Sequence, residues 1–523
     1  MDSLQIAYPE WTGAPRKRGL DPLGMQFSSE QLYQKLLPGI SNVTNRIRYY
    51  GFYSWLALHY ARKVGDMDPA RWKRTIRRAE ALYALVSHAG ADKAGIAGTQ
   101  WAQNFYDQTS GDRLEFSLGA DPDSTYPYLQ QPMGVFGAAY SSQLREVGIF
   151  ERVSDHDIPV ASVELGEVLA AAYEEAIGSA SAPFLRAIES GWVSRARLPE
   201  FAAMLPSAIA LDSAERIFYE RLLFARFDSA EPADIGRRRT LALLLSIAGQ
   251  LNEAPDPNGV RWGLYAEQSF EGQPLGWPNA ELERHASRWR AYQANDLSHL
   301  CFETLLKFQL DHLENHPRGV PLEQLVDECV QLIAQSARQE ISSWGAFVDG
   351  IELEENAAGE SEHSEASLSD RVLETRDAGF LCTPSLAWDA LRLLAILQRK
   401  FEASREVVQM EFAHLNPMSA RSLWSEMAFL IDKRKTSFVE SVRLILNERV
   451  MRRHVWVAAQ KLRTQNDYTF LFDADDGKVR LRDKDGPVQT VPRLAQALAF
   501  LRDIHLLDAD GLTPLGQAAL ESA

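Results

Sequence analysis

The chain has 523 residues and a net charge of −16, from 55 Lys and Arg against 71 Asp and Glu. This acidic balance excludes a cationic coat over the whole molecule, of the kind that covers nucleic acid. Hydrophobic residues make up 46% of the chain and charged residues 24%, which excludes global disorder and predicts about three or four packed domains.

The amino-terminal region begins with an irregular stretch and continues with helices. Residues 1–30 are rich in Pro and Gly and contain Arg16, Lys17 and Arg18. Apolar and aromatic residues then recur at helical spacing over residues 42–63, with Ser41 or Asn42 as the expected cap. Asp68 followed by Pro69 has the composition of a cap and first turn for a second helix, over residues 68–88.

The first of these helices mixes cations with aromatic side chains. They are Arg46, Arg48, Tyr49, Tyr50, Tyr53 and Trp55. Such a mixture can form a surface that stacks bases and holds phosphates. The same composition suits a buried amphipathic helix whose arginines pair with acids, and we favour this second interpretation.

The pattern after residue 130 predicts a helix, a short strand pair and a further helix. The helices cover residues 133–147 and 165–177, and the strands lie near 150–152 and 160–163. This segment completes a predicted amino-terminal domain, residues 1–180. A helical middle domain follows over residues 181–351, with helices at 213–226, 237–251, 281–295 and 298–313 and a Gly- and Pro-rich loop at 252–278.

Residues 352–370 are rich in acidic side chains set among Ser, Ala and Gly. This composition predicts a flexible acidic linker and a domain boundary. A helical domain is predicted beyond it, over residues 371–463, with helices at 385–401 and 419–461. In residues 464–523 the apolar residues no longer recur at helical spacing. Residues 468–473 are rich in β-forming side chains, Asp475-Asp476-Gly477 suits a turn, and residues 478–482 alternate between charged and apolar side chains. Together they predict a hairpin. The predicted fold is therefore mainly α and multi-domain, with small β-hairpins.

Two segments share a pattern of helix, apolar strand, turn, strand and helix. Residues 144–150 are LREVGIF and residues 501–507 are LRDIHLL, and each is followed by a turn and a helix that opens with Leu-Gly. The pattern resembles the winged-helix fold, most closely in the second copy. There, an amphipathic helix precedes an apolar strand at Leu506-Leu507. A wing turn at 508–511 and a helix start at 512–516 follow. Thr513 can cap that helix, and Gly516 allows close packing against the strand.

The resemblance implies either DNA binding or a packing or dimerisation role, since winged helices bind DNA in some proteins and other protein surfaces in others. A DNA reader carries Arg, Lys, Asn or Gln toward the bases. The helix of the second copy offers Arg493, Gln496 and Arg502, and the first copy offers Tyr140, Ser141, Ser142, Gln143 and Arg145. These are few base-contacting groups for either copy.

The strongest candidate surface for DNA phosphates lies just before the second copy and in its hairpin. Arg449, Arg452 and Arg453 have the i, i+3, i+4 spacing that places side chains on one helix face, and His454 follows them. The full set of predicted DNA-binding residues is Arg449, Arg452, Arg453, Lys461, Arg463, Lys478, Arg480, Arg482 and Arg493. The alternative is a solvated helix face whose cations pair with Glu440, Glu448 and Asp473.

No standard catalytic, cofactor or metal motif is present in the sequence. GxxxxGK[ST], GxGxxG, HExxH and GxSxG are all absent, so we expect no catalytic residues and no cofactor. His312 and His316 are spaced to share a metal, but Pro317 follows at once and no third ligand is evident, so no metal site is predicted. Cys301, Cys329 and Cys382 form no CxxC pair, and Asp473, Asp475 and Asp476 beside Lys478 suit a turn better than a nuclease centre.

The sequence therefore predicts a soluble cytoplasmic protein without a signal peptide or membrane span. Its layout resembles large helical subunits of bacterial genome-maintenance or anti-phage complexes. We expect a non-catalytic subunit that binds double-stranded DNA, a protein partner or a second copy of itself. The alternatives are a nuclease or other hydrolase whose site no motif reveals, and a pure scaffold.

Overall fold

The computed structural model describes residues 21–121, 124, 126–152, 158–228, 230–337 and 340–523. The predicted Arg16-Lys17-Arg18 stretch lies outside these residues. The architecture is mainly helical, as predicted, with two small two-stranded antiparallel sheets. Within the described part of the chain, no helix combines the length and apolar character that a bilayer span requires.

The first half of the chain contains mostly short helices and strands. They are α1 (Gln26–Leu36), α2 (Arg48–His59), α3 (Pro69–Ala89), α4 (Thr99–Gln108), β1 (Arg113–Leu114), α5 (Ser117–Ala120), α6 (Ser141–Glu146), α7 (Gly166–Ile177), α8 (Ser181–Ser190), β2 (Val193–Ser194), α9 (Ala214–Leu223), α10 (Asp234–Leu251) and α11 (Pro257–Ala266).

The second half contains the two longest helices and the second hairpin. Its elements are α12 (Ala280–Leu313), α13 (Leu322–Gln335), α14 (Trp344–Asp349), α15 (Glu365–Leu373), α16 (Pro384–Phe412), α17 (Leu423–Asp432), α18 (Phe438–Leu444), α19 (Arg452–Gln465), β3 (Phe472–Asp475), β4 (Lys478–Leu481), α20 (Leu494–Asp503) and α21 (Pro514–Glu521). The π-helical segments are Tyr60–Val64, Phe136–Tyr140 and Ile445–Met451, and the 3₁₀ segments are Gly178–Ala180, Arg195–Met204, Pro206–Ala208 and Glu374–Arg376.

Side-chain caps explain several helix starts. The Asp68 carboxylate accepts a hydrogen bond from the Ala70 amide with Pro69 in the first turn, as the sequence predicts. The cap predicted at Ser41 or Asn42 is wrong, because α2 begins at Arg48. Ser41 and Thr44 instead form a local turn in which the Ser41 amide donates to Thr44 Oγ1 at 2.9 Å.

Helix α12 is the centre of the core. The sequence predicts two helices here, at 281–295 and 298–313, whereas the structure has one helix of 34 residues that Asn279 caps. The helix packs against α1, α10, α11, α13, α15, α16 and α17. Polar residues such as Asn295 and Asp296 interrupt its apolar pattern, yet they are fully buried. A helix surrounded on all sides lacks the polar face that a periodicity argument depends on.

The acidic segment 352–370 is part of the core in this structure, in contrast to the predicted flexible linker. Its second half contains the start of α15, and Ala357, Ala358, Glu365 and Leu368 are buried. The side-chain amide of Asn356 donates hydrogen bonds to the backbone oxygens of Ser269 and Phe270. The acidic composition fits this packing because most of the carboxylates are on the exposed side of the segment.

The predicted carboxy-terminal hairpin is confirmed by strands β3 and β4. They pair antiparallel, with Asp473 opposite Arg480 and Asp475 opposite Lys478. Asp476 and Gly477 form the turn with φ values of 48° and 72°, the left-handed conformation that a two-residue hairpin loop requires. Of the pair predicted near 150–163, the described residues form an isolated antiparallel bridge between Phe150 and Ala161. Strands β1 and β2 form a pair that the sequence did not predict.

Candidate functional site

Four of the nine predicted DNA-binding cations hold the fold together. Arg453 donates to the backbone oxygens of Leu23 and Met418, both at 2.7 Å, and Arg493 donates to Ile40 O. The Lys461 ammonium donates to Asp21 O at 3.0 Å. Arg449 lies 3.4 Å from the Glu426 carboxylate and 4.0 Å above the Phe429 ring.

The predicted DNA-binding surface does not include these four residues in the structure, because their side chains are buried or half-buried. Burial lowers the pKa of Arg453 to about 10 and also lowers the pKa values of Arg449 and Lys461. Such shifts mark cations that are partly or fully removed from solvent. A phosphate could reach them only after their present contacts break.

The other five predicted cations are exposed. Arg452 and Arg463 are on α19, and Lys478, Arg480 and Arg482 are on or directly after β4. In the hairpin, acids offset them: Asp475 and Asp473 are the cross-strand neighbours of Lys478 and Arg480. The Arg482 guanidinium lies 4.0 Å from the Tyr468 ring centroid, and the Tyr468 hydroxyl donates to Asp473 at 2.8 Å. The hairpin is therefore close to neutral.

The exposed side of α19 combines charge with apolar area. We define the α19 face as Arg452, Val455, Ala459, Leu462 and Arg463, all of which are exposed. At 100° per residue these positions fall within about one third of the helix circumference. The exposed fractions of Val455 and Leu462 are 38% and 39%. An apolar centre thus lies between two arginines.

His454, on the inner side of α19, joins the helix to the hairpin. Its Nε2 accepts a hydrogen bond from the Leu471 amide at 2.9 Å, and its Nδ1 lies 3.1 Å from Pro22 O. Both contacts are satisfied together only when Nδ1 carries the proton and the ring is neutral. On the other side, β4 forms an antiparallel bridge to the loop after α12, from Val479 to Val320.

The two winged-helix-like segments share the same local hydrogen bonds. In the first, the Ile149 and Phe150 amides donate to Leu144 O, and Ser162 Oγ donates to Gly148 O. In the second, the Leu506 and Leu507 amides donate to Leu501 O, and Thr513 Oγ1 donates to His505 O. In the first turn of the following helix, Gly166 of α7 and Gly516 of α21 lie directly against the strand.

Several side chains that would read bases in these copies instead contact other parts of the chain. Along α20, Gln496 donates to Asn42 O at 2.9 Å, and Asp503 pairs with Arg46 at 2.9 Å. In the first copy, Tyr140 is buried and its ring lies 4.8 Å from that of Tyr49. Of the two roles implied by the resemblance, the contacts of these helices correspond to packing within the chain.

A buried charged network lies where residues 486–493 cross α12. Arg261 pairs with Asp296, whose carboxylate also accepts from Thr490 Oγ1 at 2.6 Å. His299 Nε2 lies 2.8 Å from Glu303. The i, i+4 spacing of His299 with Glu303 and of Glu281 with His285 is typical of pairs on a helix surface, but both histidines are fully buried. Positions 296, 299 and 303 share one face of α12, a spacing that could have suggested this network.

The pKa shifts in this network reflect mutual neutralisation of buried charges. Burial opposes the charged form of His299, but the Glu303 charge raises the pKa of its imidazole well above the usual value. Burial raises the pKa of Asp296, while Arg261 lowers it, and the net direction is downward. The network therefore holds the carboxy-terminal crossing segment against α12.

Among the residues that the structure describes, two groups of side chains have donor atoms close enough to share a metal ion. One is Asp21, His299 and Glu303 in the buried network, and the other is His312, His316 and Glu328 at the end of α12. Glu328 is a residue that the sequence analysis missed, because α13 brings it to the two histidines from outside their own helix. Asp473 and Asp475 are exposed on β3 and Asp476 is in the β3–β4 turn, so of these three predicted turn residues only Asp476 lies in the turn itself.

Comparison of the chain with protein-family models, with curated proteins and with solved structures finds no significant match.

Proposed function

We propose that this protein is a non-catalytic interaction subunit of a larger prokaryotic complex, in the genome-maintenance or anti-phage setting that its layout resembles, and that the α19 face binds a partner protein. The observation that carries the proposal is the exposed apolar centre, Val455 and Leu462, between Arg452 and Arg463. Exposed apolar side chains rimmed by arginine are typical of protein interfaces.

The charge pattern favours a different protein over a second copy of this chain. If two α19 faces packed across a two-fold axis, the arginines at their ends would meet arginines again, in either helix direction. Like charges placed together in an interface are unfavourable. A partner with an apolar ridge and acidic ends would instead complement both parts of the face.

Site-specific photo-crosslinking in the producing cell tests this proposal. A photoreactive amino acid at position 459, in the middle of the face, should give a discrete crosslinked species. The same group at Ala518, an exposed helical position on α21, is the matched control. V455D/L462D should abolish the crosslink at position 459 without changing the circular dichroism spectrum. A crosslinking pattern equal at positions 459 and 518 would contradict the proposal.

Duplex DNA is the second candidate partner, and the exposure of Arg452, Arg463, Lys478, Arg480 and Arg482 favours it. If all five contact phosphates, the logarithm of the binding constant should fall with the logarithm of salt concentration with a slope of about −4.5. Each charge-removing substitution should reduce this slope by about one. Fluorescence anisotropy of a labelled duplex measures it, and an affinity that does not change with salt excludes this candidate.

A further inference from the structure

Two histidines and a glutamate converge where α12 ends and α13 begins. His312 lies in the last turn of α12. The chain continues in helical turns beyond it, with the Asn315 amide donating to His312 O and the His316 amide donating to Leu313 O. His316 therefore stays on the same side as His312, and Pro317 does not separate them.

The third group comes from α13. Glu328 Oε2 lies 2.8 Å from His312 Nε2 and 2.9 Å from His316 Nε2. The other carboxylate oxygen of Glu328, Oε1, accepts a hydrogen bond from the side-chain amide of Gln324 at 2.9 Å. Gln324 thus fixes the orientation of the carboxylate, as the groups behind metal ligands do in known sites.

The donor set and its geometry match a three-ligand zinc site. Two imidazoles with one carboxylate are a frequent Zn²⁺ ligand set, and a fourth position then remains for water. Bonds of about 2.0–2.1 Å in a tetrahedron place ligand atoms about 3.3 Å apart, so the two histidine–glutamate contacts need to open by about half an ångström. The three side chains are 19%, 25% and 31% exposed, which gives them this freedom and leaves the fourth position open to solvent.

The electrostatic environment also suits a cation. Partial burial raises the pKa of Glu328, but hydrogen bonds from Gln324, His312 and His316 lower it by more. The carboxylate is therefore ionised at neutral pH. Imidazole nitrogens prefer Zn²⁺ and similar first-row ions to Mg²⁺ or Ca²⁺.

We propose that His312, His316 and Glu328 form a binding site for Zn²⁺ or a similar first-row divalent ion, with Gln324 as the positioning residue. The ion would tie the end of α12 to α13. This proposal does not depend on the function assigned to the α19 face.

The test uses the full chain, first treated with a chelator and then titrated with Zn²⁺ alone. Calorimetry and elemental analysis should give one bound equivalent, and Co²⁺ in place of Zn²⁺ should give the intense visible absorption of tetrahedral coordination. H312A, H316A and E328Q should each lower the affinity by more than about 100-fold, because changes behind the ligands alone cost on the order of 10–100-fold. Q324A should fall within that smaller range.

His414, an exposed histidine outside the cluster, supplies the matched control: H414A should bind like the native chain. Zn²⁺ should also raise the melting temperature of the native chain and of H414A, but not that of E328Q. Equal binding by the native chain and by H312A/H316A/E328Q, or no binding by either, would overturn the proposal and leave a hydrogen-bonded cluster only.

Discussion

At the scale of single residues, the burial of the arginines in residues 46–55 distinguishes between the two interpretations of this cationic and aromatic segment. Arg48 is completely buried and pairs with Glu215 through two contacts of 3.0 Å. Arg46 pairs with Asp503 and Asp92. Tyr49, Tyr50, Tyr53 and Trp55 are buried around them. These contacts agree with the amphipathic-helix interpretation and leave no exposed platform for bases in this segment.

Replacing Arg48 with Met should destabilise the protein by about 3–5 kcal/mol, because Glu215 would remain as an uncompensated buried charge. Urea unfolding measures the change. R197M, at a half-exposed arginine paired with Glu200, should change stability by less than about 1 kcal/mol. The double variant R48M/E215L should recover much of the loss. A loss in R48M no larger than that in R197M would contradict this account of the pair.

The glycines at the starts of α7 and α21 provide a second residue-scale prediction. A Cβ atom at Gly516 would lie 2.1 Å from Leu506 O, and one at Gly166 would lie 2.3 Å from Ile149 O. G516A and G166A should therefore each cost about 1–3 kcal/mol through backbone displacement. Gly276, whose nearest atom would be 3.9 Å away, is the control, and thermal unfolding of G276A should match the native chain. Native-like melting of both G166A and G516A would refute the close-packing role.

At the scale of elements, the β3–β4 hairpin depends on a neutral histidine. Burial lowers the pKa of His454 to about 4, whereas an unfolded chain titrates near 6.5. Between these values the unfolded state binds more protons than the folded state. The contribution of His454 to stability is therefore complete above about pH 6.5 and is lost as the pH falls toward 4.

Between pH 7 and pH 4.5, the native chain should lose about 2 kcal/mol more stability than H454Q. Protonation of Nε2 would also break the hydrogen bond from the Leu471 amide. Urea unfolding at the two pH values measures the first effect, and hydrogen exchange at Leu471, corrected for intrinsic rates, measures the second. An equal pH dependence in both proteins would show that His454 does not titrate in this way.

The acidic segment is the element that composition described least well. Its carboxylates indicated a solvated spacer, yet Glu365 is buried and its carboxylate contacts the Lys400 ammonium of α16 and lies 3.4 Å from the Tyr265 hydroxyl. A partner more than 30 residues away decides whether one glutamate is exposed. Average composition over the segment cannot supply that information.

At the scale of the whole molecule, the carboxy-terminal helices pack against α2 and the residues just before it. Asp503 of α20 accepts from the Ile47 amide at 3.1 Å and pairs with Arg46, and Phe500 contacts the Tyr50 ring edge-on. Arg226 donates to Ala519 O near the end of α21. The carboxy-terminal segment therefore covers part of the amino-terminal core.

Deleting residues 494–523 should consequently destabilise residues 40–60 and not only the end of the chain. We expect a lower melting temperature and faster hydrogen exchange in α2. A deletion of Ala523 alone is the control and should behave like the full chain. Unchanged exchange in α2 after the larger deletion would instead support the independent carboxy-terminal module that the sequence predicted for residues 464–523.

The sequence by itself determined the mainly helical class, the Asp68–Pro69 helix start and the β3–β4 hairpin, because each depends on neighbours within a few positions. Tertiary structure decided which charges are exposed. Arg452 and Arg453 are adjacent on α19, yet the first is exposed and the second donates to Leu23 and Met418 far along the chain. It also brought Glu328 to His312 and His316. The burial of a side chain, and the meeting of Glu328 with the two histidines, depend on contacts between distant segments. The local spacing of residues in the sequence does not contain this information.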